Sequence, residues 1–408
     1  MGDKLERFFI PALVGLAPFI FALVTWKAGT LSVPQNILLY SAGPVFVTEL
    51  CVIAFALREG MVRFIRDDPI PRLATAAIVA WVAVGAGTSL LAAPGEGIAV
   101  RWTLHWIVHL LFGFSLAYLC LRQVRIRDLV VFYLVGFLLF TCVFVVFAVT
   151  YWNQPIDWVR LLPGAMHIRH VGIFAAAMTG MSIGALTAAR SRASAFAVFA
   201  TTVIGFTLGV WTGSRGMVLS VVGATIAGAI LIPAMRKVKI MGAAAVALAA
   251  AVSIASWIPV PNDFMMGVSR AVEATTEREV TTGRVEIWTN VIHAIGRQPL
   301  FGYGPGQMPI VAPYGTMGQP HNLILQILLD WGFAGMACVL IVAFFYLRRA
   351  LPAVHREGQR LAAPFMAMMS LLLLSMIDAA MFHVLPVSIF AACAGMLASA
   401  WWGKGQAG

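Results

Sequence analysis

The stretch LVVFYLVGFLLFTCVFVVFAVT, residues 129–150, is an unbroken apolar run that contains no charged side chain. About 20 such residues in a helix cross the hydrocarbon core of a bilayer, because each residue adds about 1.5 Å along the helix axis. A helix that is apolar on every side has no face to present to water. The stretch therefore predicts a membrane-spanning helix.

Runs of this kind recur along the chain, and the composition agrees with them. The chain is 61% hydrophobic and 11% charged, whereas soluble domains have roughly 45–50% and about 25%. We therefore expect an all-α integral membrane protein with about twelve transmembrane helices. The predicted spans are residues 8–26, 37–57, 73–93, 102–121, 129–150, 171–189, 194–212, 217–235, 240–257, 322–347, 361–381 and 384–402.

The formal charge of +11 follows the loops between these spans. With both termini in the cytoplasm, most of the 28 Lys and Arg residues fall in cytoplasmic loops, as the positive-inside rule expects. The first run has a basic start but is long and is followed by further spans, so we interpret it as a retained span. Topology explains the charge, and no nucleic-acid partner is implied.

One long segment has the composition of a soluble region. It covers residues 258–320 and separates the ninth predicted span from the tenth. We expect three parts: residues 1–257 with nine transmembrane helices, 258–320 as an outer loop domain, and 321–408 with the last three helices. Function that requires water and polar groups is expected in the loop domain. The chain shows no internal repeat of the kind typical of secondary transporters.

Two helices are predicted within this loop domain. GRVEIWTNVIHAIGRQP, residues 283–299, has the pattern of an amphipathic helix that Pro299 ends. In VSRAVEATTEREV, residues 268–280, glutamates alternate with arginines, and a solvated charged face explains them better than a metal site. The apolar stripe predicted for the first helix is Val285, Trp288, Ile292 and Ile295.

Two arginines lie on the outer side, where the topology requires no positive charge. Arg215 lies in TGSRG, residues 212–216, a turn between two predicted spans, and Arg284 begins the amphipathic helix. Each could be explained alone by a snorkelling, capping or surface role. Together they could bind one anionic headgroup, because a guanidinium pairs bidentately with phosphate and keeps its charge.

The loop FGYGPGQMPIVAPYGTMGQP, residues 301–320, leads directly to His321 at the start of the tenth predicted span. It contains five glycines and four prolines, and Gly302, Gly304 and Gly306 permit tight turns or the close approach of a ligand. A histidine at a helix start is commonly structural. Imidazole also titrates near neutrality and can act as a general base.

A second outer segment, YWNQPIDWVRLLPGAMHIRH, covers residues 151–170. It mixes aromatic residues with Arg160, His167, Arg169 and His170. One interpretation is an interfacial connector with a belt of tryptophan and tyrosine. The other is a segment at the membrane surface whose charges contact a ligand.

The motifs resemble those of one known family. GRVEIWTNVIHAIGRQPLFGYGPGQ, residues 283–307, and PHNLILQILLDWGFAG, residues 320–335, resemble the shared region of the O-antigen ligase and O-antigen polymerase family. TGSRG resembles the Ser-Arg-Gly turn of the same family. The motifs, from Trp211 to Gly335, are specific for the family and less so for the member. Asp330 stands where the family pattern leads us to expect glutamate, which weakens any role for that carboxylate.

The resemblance implies a GT-C-like glycosyltransferase of the bacterial inner membrane, with a periplasmic loop domain and an active site that faces the periplasm. In the ligases, polysaccharide is transferred from undecaprenyl diphosphate to a sugar hydroxyl of lipid A core, with inversion and without nucleotide sugar, cofactor or metal. The implied partners are undecaprenyl diphosphate-linked polysaccharide, lipid A core oligosaccharide and membrane lipids.

The resemblance also implies roles for individual residues. Arg215 and Arg284 match the arginines that hold the diphosphate, and His321 matches the histidine that acts on the acceptor. Positive charge at the leaving diphosphate would lower the barrier, and a neutral imidazole could deprotonate the incoming hydroxyl. Further contacts with acceptor or donor are expected from His167, Arg169, His170, Asn322 and Tyr303.

No metal site is predicted. Many other GT-C enzymes hold a divalent cation with acidic residues of their first outer loop, but here that loop, KAGTLSVPQN, residues 27–36, contains no carboxylate. The arginines would then replace the metal as the electrophilic partner. The five cysteines fall within predicted spans and show no metal-like spacing.

Three other functions stay open at this point. An O-antigen polymerase would use the same donor with a second lipid-linked glycan, and a protein O-oligosaccharyltransferase would use serine or threonine. We favour the ligase because residues 151–170 offer positive charge to a phosphorylated acceptor. A lipid-linked glycan transporter should expose polar groups along a midplane pathway. The charged residues in the predicted spans are Glu49, Asp330 and Asp378.

Overall fold

The computed structural model describes residues 2–26, 34–67, 70–262, 266–270, 283–315 and 318–402. Two predicted features lie largely outside these ranges, namely the charged helix at 268–280 and the first outer loop at 27–36. The described chain is mainly helical and contains one two-stranded hairpin.

The α-helices are labelled α1 to α15 in chain order. Those before the hairpin are α1 Gly2–Val24, α2 Pro34–Arg58, α3 Met61–Asp67, α4 Arg72–Leu91, α5 Glu96–Arg122 and α6 Ile126–Tyr151. The hairpin consists of β1 Arg160–Leu162 and β2 Ala165–His167. The next helices are α7 Ile168–Ala185, α8 Arg192–Trp211, α9 Arg215–Leu231 and α10 Val238–Trp257. The last are α11 Arg284–Arg297, α12 Met308–Val311, α13 Leu323–Arg356, α14 Gly358–Ser375 and α15 Val384–Ala398.

Seven helices in the described part of the chain are long and apolar enough to cross a membrane. They are α4, α5, α6, α7 with the short 3-10 turn after it, α8, α10 and α13. Shorter apolar helices occupy Phe8–Val24, α9 and α15. Each of the twelve predicted spans overlaps a helix, but length and composition support a crossing for seven. These helices fit a multi-pass membrane protein, and the count of twelve stays a prediction.

Helix α7 is the most deeply buried of these candidate spans. Its glycines let α14 approach closely, as small residues do between membrane helices. A Cβ added to Gly180 would lie 2.4 Å from Ser370 Oγ, and one added to Gly184 would lie 2.5 Å from the Ala362 carbonyl oxygen. The packing holds the first turn of α7, which carries Arg169 and His170, in a fixed place.

Within residues 151–170 the chain forms the β1–β2 hairpin, which packs into the bundle. Trp158 is 7% exposed and Leu162 is 1% exposed. Gly164 adopts φ 68° in the turn, which glycine permits, and its backbone N–H donates to Thr25 Oγ1 at 2.7 Å. The hairpin thus fixes His167, the last residue of β2, directly before α7.

Helix α13 is broken at Gly332, which has φ 63° and ψ −165°. Residues 299–304 run along this break and form backbone hydrogen bonds on both sides of it. The bonds are Phe333 N to Pro299 O (2.8 Å), Ala334 N to Leu300 O (2.9 Å), Tyr303 N to Leu329 O (2.9 Å) and Gly304 N to Asp330 O (2.8 Å). The glycine-rich loop is therefore locked to the helix that it precedes.

The glycines of this loop make tight turns, and their close approaches are to the protein itself. Gly302, Gly304 and Gly306 have φ of 68°, 82° and 77°. A Cβ added to Gly302 would lie 2.6 Å from the Leu329 carbonyl oxygen, and one added to Gly306 would lie 2.7 Å from Cδ1 of Trp102. The backbone conformation and packing of the loop thus require glycine at these positions, whether or not a ligand binds there.

The predicted apolar stripe of α11 is wrong in part. Val285 and Ile292 are 56% and 54% exposed. The reason is that the helix packs a neighbouring face on α12 and α13, in a small core that includes Met308 and Leu329. The buried residues of α11 are Ile287, Val291, Ala294 and Ile295.

Candidate functional site

His321 has strained backbone geometry. Its φ is 53°, the only positive φ at a residue other than glycine in the described ranges. Residues with such geometry are uncommon, cost of order 1–3 kcal/mol and concentrate at functional sites. The strain distinguishes His321 from an ordinary histidine at a helix start.

The neighbours of His321 hold this geometry in place. Asn322 caps α13, with its Oδ1 accepting from Leu325 N at 3.1 Å and its Nδ2 donating to Met376 O at 3.0 Å. On the other side, Trp288 Nε1 of α11 donates to Pro320 O at 2.9 Å. Hydrogen bonds before and after the residue therefore compensate for its strain.

Asp378 is the partner of the His321 side chain. His321 Nδ1 lies 3.0 Å from Asp378 Oδ1, and the side chains are 22% and 10% exposed. Burial would raise the pKa of Asp378, but the hydrogen bond and charge of His321, the Ala379 N–H and the charge of Arg284 together lower it. Asp378 is therefore an anion at neutral pH. A neutral His321 then donates from Nδ1 and keeps the lone pair of Nε2 for another proton.

Three further histidines lie beside this pair. His383 is the N-cap residue of α15, and its ring centroid is 3.5 Å from that of His170. The His167 and His170 centroids are 6.2 Å apart. We call His167, His170, His321 and His383 the histidine cluster.

Burial keeps two members of the cluster neutral. It lowers the pKa of His383 to about 4, with Asp378 opposing the shift and His321 and His167 adding to it. Burial also lowers the pKa of His167, whose Nδ1 accepts from Arg169 N at 3.1 Å. Uncharged imidazoles can both donate and accept hydrogen bonds, which suits contact with sugar hydroxyls.

The TGSRG turn packs against the first turn of α7. Arg169 Nη1 donates to Gly213 O at 2.9 Å, and a Cβ added to Gly172 would lie 2.7 Å from Ser214 Cβ. Arg215, the first residue of α9, is half-buried. The turn thus brings Arg215 to the level at which α7 begins.

The same turn also contacts the segment that carries Asp378. A Cβ added to Gly216 would lie 3.4 Å from Ile377 Cδ1. Arg284 approaches from α11, close enough that its charge contributes to the lowered pKa of Asp378. The structure therefore places Arg284 and His321 near the Asp378 carboxylate, and the turn that carries Arg215 packs against the segment that carries Asp378.

Five helices begin at or directly after residues of the candidate site. Residues at their N-termini are His167 for α7, Arg215 for α9, Arg284 for α11, Asn322 for α13 and His383 for α15. A helix N-terminus carries a partial positive charge of roughly +0.5 and unpaired N–H groups. Together with the two arginines, these ends favour an anion such as a diphosphate.

Two of the expected contact residues have structural hydrogen bonds instead. The Tyr303 hydroxyl donates to Ala294 O at 3.0 Å, and the amide of Asn322 is used in capping α13 and holding Met376. Asp330 is 1% exposed and accepts from Gln326 Nε2 at 2.7 Å. These three side chains stabilise the loop and the broken helix.

A cavity of about 830 Å³ lies beside the histidine cluster. His170 and His383 line it, with mostly apolar side chains of α1, α2 and α15. Helix α5 contributes the polar part of its lining, with Glu96, Arg101, Trp102 and His105. A cavity of this size accommodates part of an amphipathic ligand.

Sequence reasoning did not assign Asp378 or His383 to the site. A carboxylate inside an apolar run was a signal for Asp378, but no spacing connected it to His321. His383 carried no signal of its own. In the described ranges, no group of three or more His, Cys, Asp or Glu residues could hold a metal ion.

The comparison with known families agrees with the motifs. Residues 200–340 match the model of the family described as O-antigen ligase. This range includes Arg215, Arg284 and His321, whereas Asp378 and His383 lie after it. No curated protein matches the chain. The match over residues 200–340 supports an assignment of this part of the chain to the O-antigen ligase family.

Proposed function

We propose that the protein is an O-antigen ligase of the GT-C-like type in the bacterial inner membrane. It would transfer polysaccharide from undecaprenyl diphosphate to a sugar hydroxyl of lipid A core on the periplasmic face. The observation that carries this proposal is the His321–Asp378 pair, 3.0 Å apart beside the TGSRG turn. The family match supports ligase or polymerase chemistry in general.

His321 acts as the general base in this proposal. The acceptor hydroxyl attacks the anomeric carbon of the donor sugar while the bond from that carbon to the diphosphate oxygen breaks. Nε2 of His321 takes the hydroxyl proton, and the diphosphate leaves with the electron pair. Asp378 orients the ring and stabilises the imidazolium that forms. Attack from the face opposite the leaving group inverts the anomeric centre.

Arg215 and Arg284 bind the diphosphate. Negative charge on the leaving group increases as the bond breaks, so fixed positive charge there stabilises the transition state more than the bound substrate. The N-termini of α7, α9, α11 and α13 add to the same field. In this proposal the two guanidinium groups do the work that a divalent cation does in other glycosyltransferases.

Transfer by the purified protein in lipid vesicles tests the proposal. One reaction receives lipid-linked polysaccharide with lipid A core, another receives a second lipid-linked glycan instead, and each is run with and without a chelator. We expect glycan on the core, resolved by gel, at the same rate in chelator. Growth of the glycan on the lipid carrier alone would identify a polymerase. Loss of transfer in chelator that magnesium restores would contradict the metal-independent mechanism.

A further inference from the structure

The polar residues of α5 are not used in the mechanism above, and the inference drawn from them rests on the proposed function. The cavity adjoins the histidine cluster through His170 and His383, but His321, Arg215 and Arg284 do not line it. Two members of the cluster, His170 and His383, therefore border the cavity, whereas the proposed base and the two arginines do not. A transferase that joins two large substrates requires two such places that meet at the reacting atoms.

The α5 side of the cavity has the chemistry to bind an anionic saccharide. Arg101, Trp102 and His105 line the cavity within about one turn of helix. The Arg101 guanidinium can pair with a phosphate or carboxylate through two parallel hydrogen bonds. The Trp102 ring offers a flat face and an N–H donor, and it meets the His105 ring edge to face at 5.7 Å.

His105 has an unused hydrogen-bonding atom. Its Nδ1 is buried and has no hydrogen-bond partner in the described part of the chain. Buried polar atoms are normally paired, so such an atom calls for an explanation. Glu96, on the same helix and also lining the cavity, adds a carboxylate that can accept from sugar hydroxyls.

Two sets of contacts fix this part of α5. Below it, His109 Nδ1 lies 2.7 Å from Glu49 Oε1, with both side chains at most 5% exposed, and the His109 ring stacks on His105 with centroids 6.4 Å apart. Above it, Gln307 Oε1 accepts from Gly95 N at 2.7 Å, and Gln307 Nε2 donates to Gly95 O at 3.1 Å. The start of α5 is thus tied to the loop that leads to the catalytic base.

We propose that the cavity is the acceptor site and that Arg101, with Trp102 and His105, binds a phosphate or carboxylate group near the sugar that receives the glycan. Glu96 and Arg101 are the charged residues of α5 that line the cavity, and because a carboxylate repels an anion, the anion-binding role belongs to Arg101. Arg101 is a specificity-determining residue in this assignment, whereas Glu49 and His109 position His105.

Steady-state transfer with two forms of one acceptor tests the inference. Lipid A core is supplied either intact or with its core phosphates removed by phosphatase, and KM is measured separately for acceptor and donor. The wild type is expected to prefer the phosphorylated form. Arg101→Gln should raise the acceptor KM roughly tenfold, because a charge-assisted hydrogen bond is lost. The variant should also lose the preference, while kcat and the donor KM stay near wild type.

Arg190→Gln is the matched control, because Arg190 is exposed and does not line the cavity. Arg101→Lys should restore part of the preference, since charge remains but the bidentate geometry does not. If Arg101→Gln raised the donor KM, or matched Arg190→Gln with both acceptors, the acceptor assignment would be overturned while ligase activity stood. If the wild type placed no glycan on lipid A core, the proposed function would fail, and this inference with it.

Discussion

Nδ1 of His321 lies 3.0 Å from Oδ1 of Asp378, although 57 residues separate the two in the chain. The two residues come from different elements, the start of α13 and the segment between α14 and α15. Their contact supplies His321 with an orienting carboxylate. It also ties the region that matches the family model to a part of the chain outside it.

Replacement of Asp378 by asparagine should slow transfer. The asparagine amide cannot stabilise an imidazolium as the carboxylate does, so kcat should fall by at least roughly tenfold, with little change in either KM. The measurement is steady-state transfer in vesicles with both substrates varied.

Asp330→Asn is the control, because Asp330 is also a buried carboxylate but lies within α13, where it accepts a hydrogen bond from Gln326 beside the helix break. The Asp330→Asn variant should have a lower melting temperature than the wild type but a kcat near the wild-type value. A wild-type kcat in the Asp378→Asn variant would contradict the assignment of Asp378 as the residue that orients His321.

The two arginines should act as one unit on the donor. Arg215→Gln and Arg284→Gln should each raise the donor KM and lower kcat, because both would contact the diphosphate that leaves. The double variant should lose less than the product of the single losses, since groups that act together are not additive. Independent effects in such a double-mutant cycle would argue that the arginines bind different groups.

Gly332→Ala should destabilise the protein. An added Cβ would lie 2.4 Å from the Leu300 carbonyl carbon, and the alanine backbone would have to adopt φ 63°. We expect a loss of roughly 2–4 kcal/mol in the free energy of unfolding, measured by denaturant titration in detergent.

The matched control is Gly296→Ala in α11, where an added Cβ meets nothing within 4 Å. Alanine should stabilise that helix by up to about 1 kcal/mol. Equal stability of the two variants would show that the loop is not locked to the broken helix.

Acid should lower the stability of the protein. Burial lowers the pKa of His383 from 6.5 to about 4, so between these values the unfolded chain binds a proton that the folded chain does not. Stability therefore falls as pH decreases from about 6.5 to about 4, and the lowered pKa of His167 acts in the same direction. The melting temperature in detergent should be lower at pH 5 than at pH 7.5. His383→Gln should reduce that difference, and a melting temperature independent of pH would contradict this electrostatic account.

The fold was predictable where the pattern is local. An apolar run such as residues 129–150 identifies a helix without any knowledge of its neighbours, and α6 covers it. The buried face of α11 was harder to predict from the sequence. Val285 and Ile287 are both apolar, and only packing on α13 decides which is buried. The hairpin carried a local signal, since Pro163 and Gly164 suit a tight turn, but its burial depends on contacts with α1 and α6.

The residues of the candidate site were likewise predictable only where the signal is local. Arg215, Arg284 and His321 could be selected from their sequence context, as charged or titratable residues at the outer ends of predicted elements. Asp378 and His383 could not be connected to them, because their proximity depends on how α14 and α15 pack against α7 and α13. Tyr303 and Asn322 looked available for a ligand, yet the fold uses their polar groups internally.

The most direct test of the account is single-turnover transfer by His321→Asn and His321→Gly, with donor binding measured in the same vesicles. Both residues tolerate positive φ, so the fold should be kept while the base is removed. The account predicts unchanged donor binding and transfer slowed between about 10²- and 10⁴-fold, with partial recovery when free imidazole is added to the glycine variant. Transfer at the wild-type rate in either folded variant would contradict the assignment of His321 as the base.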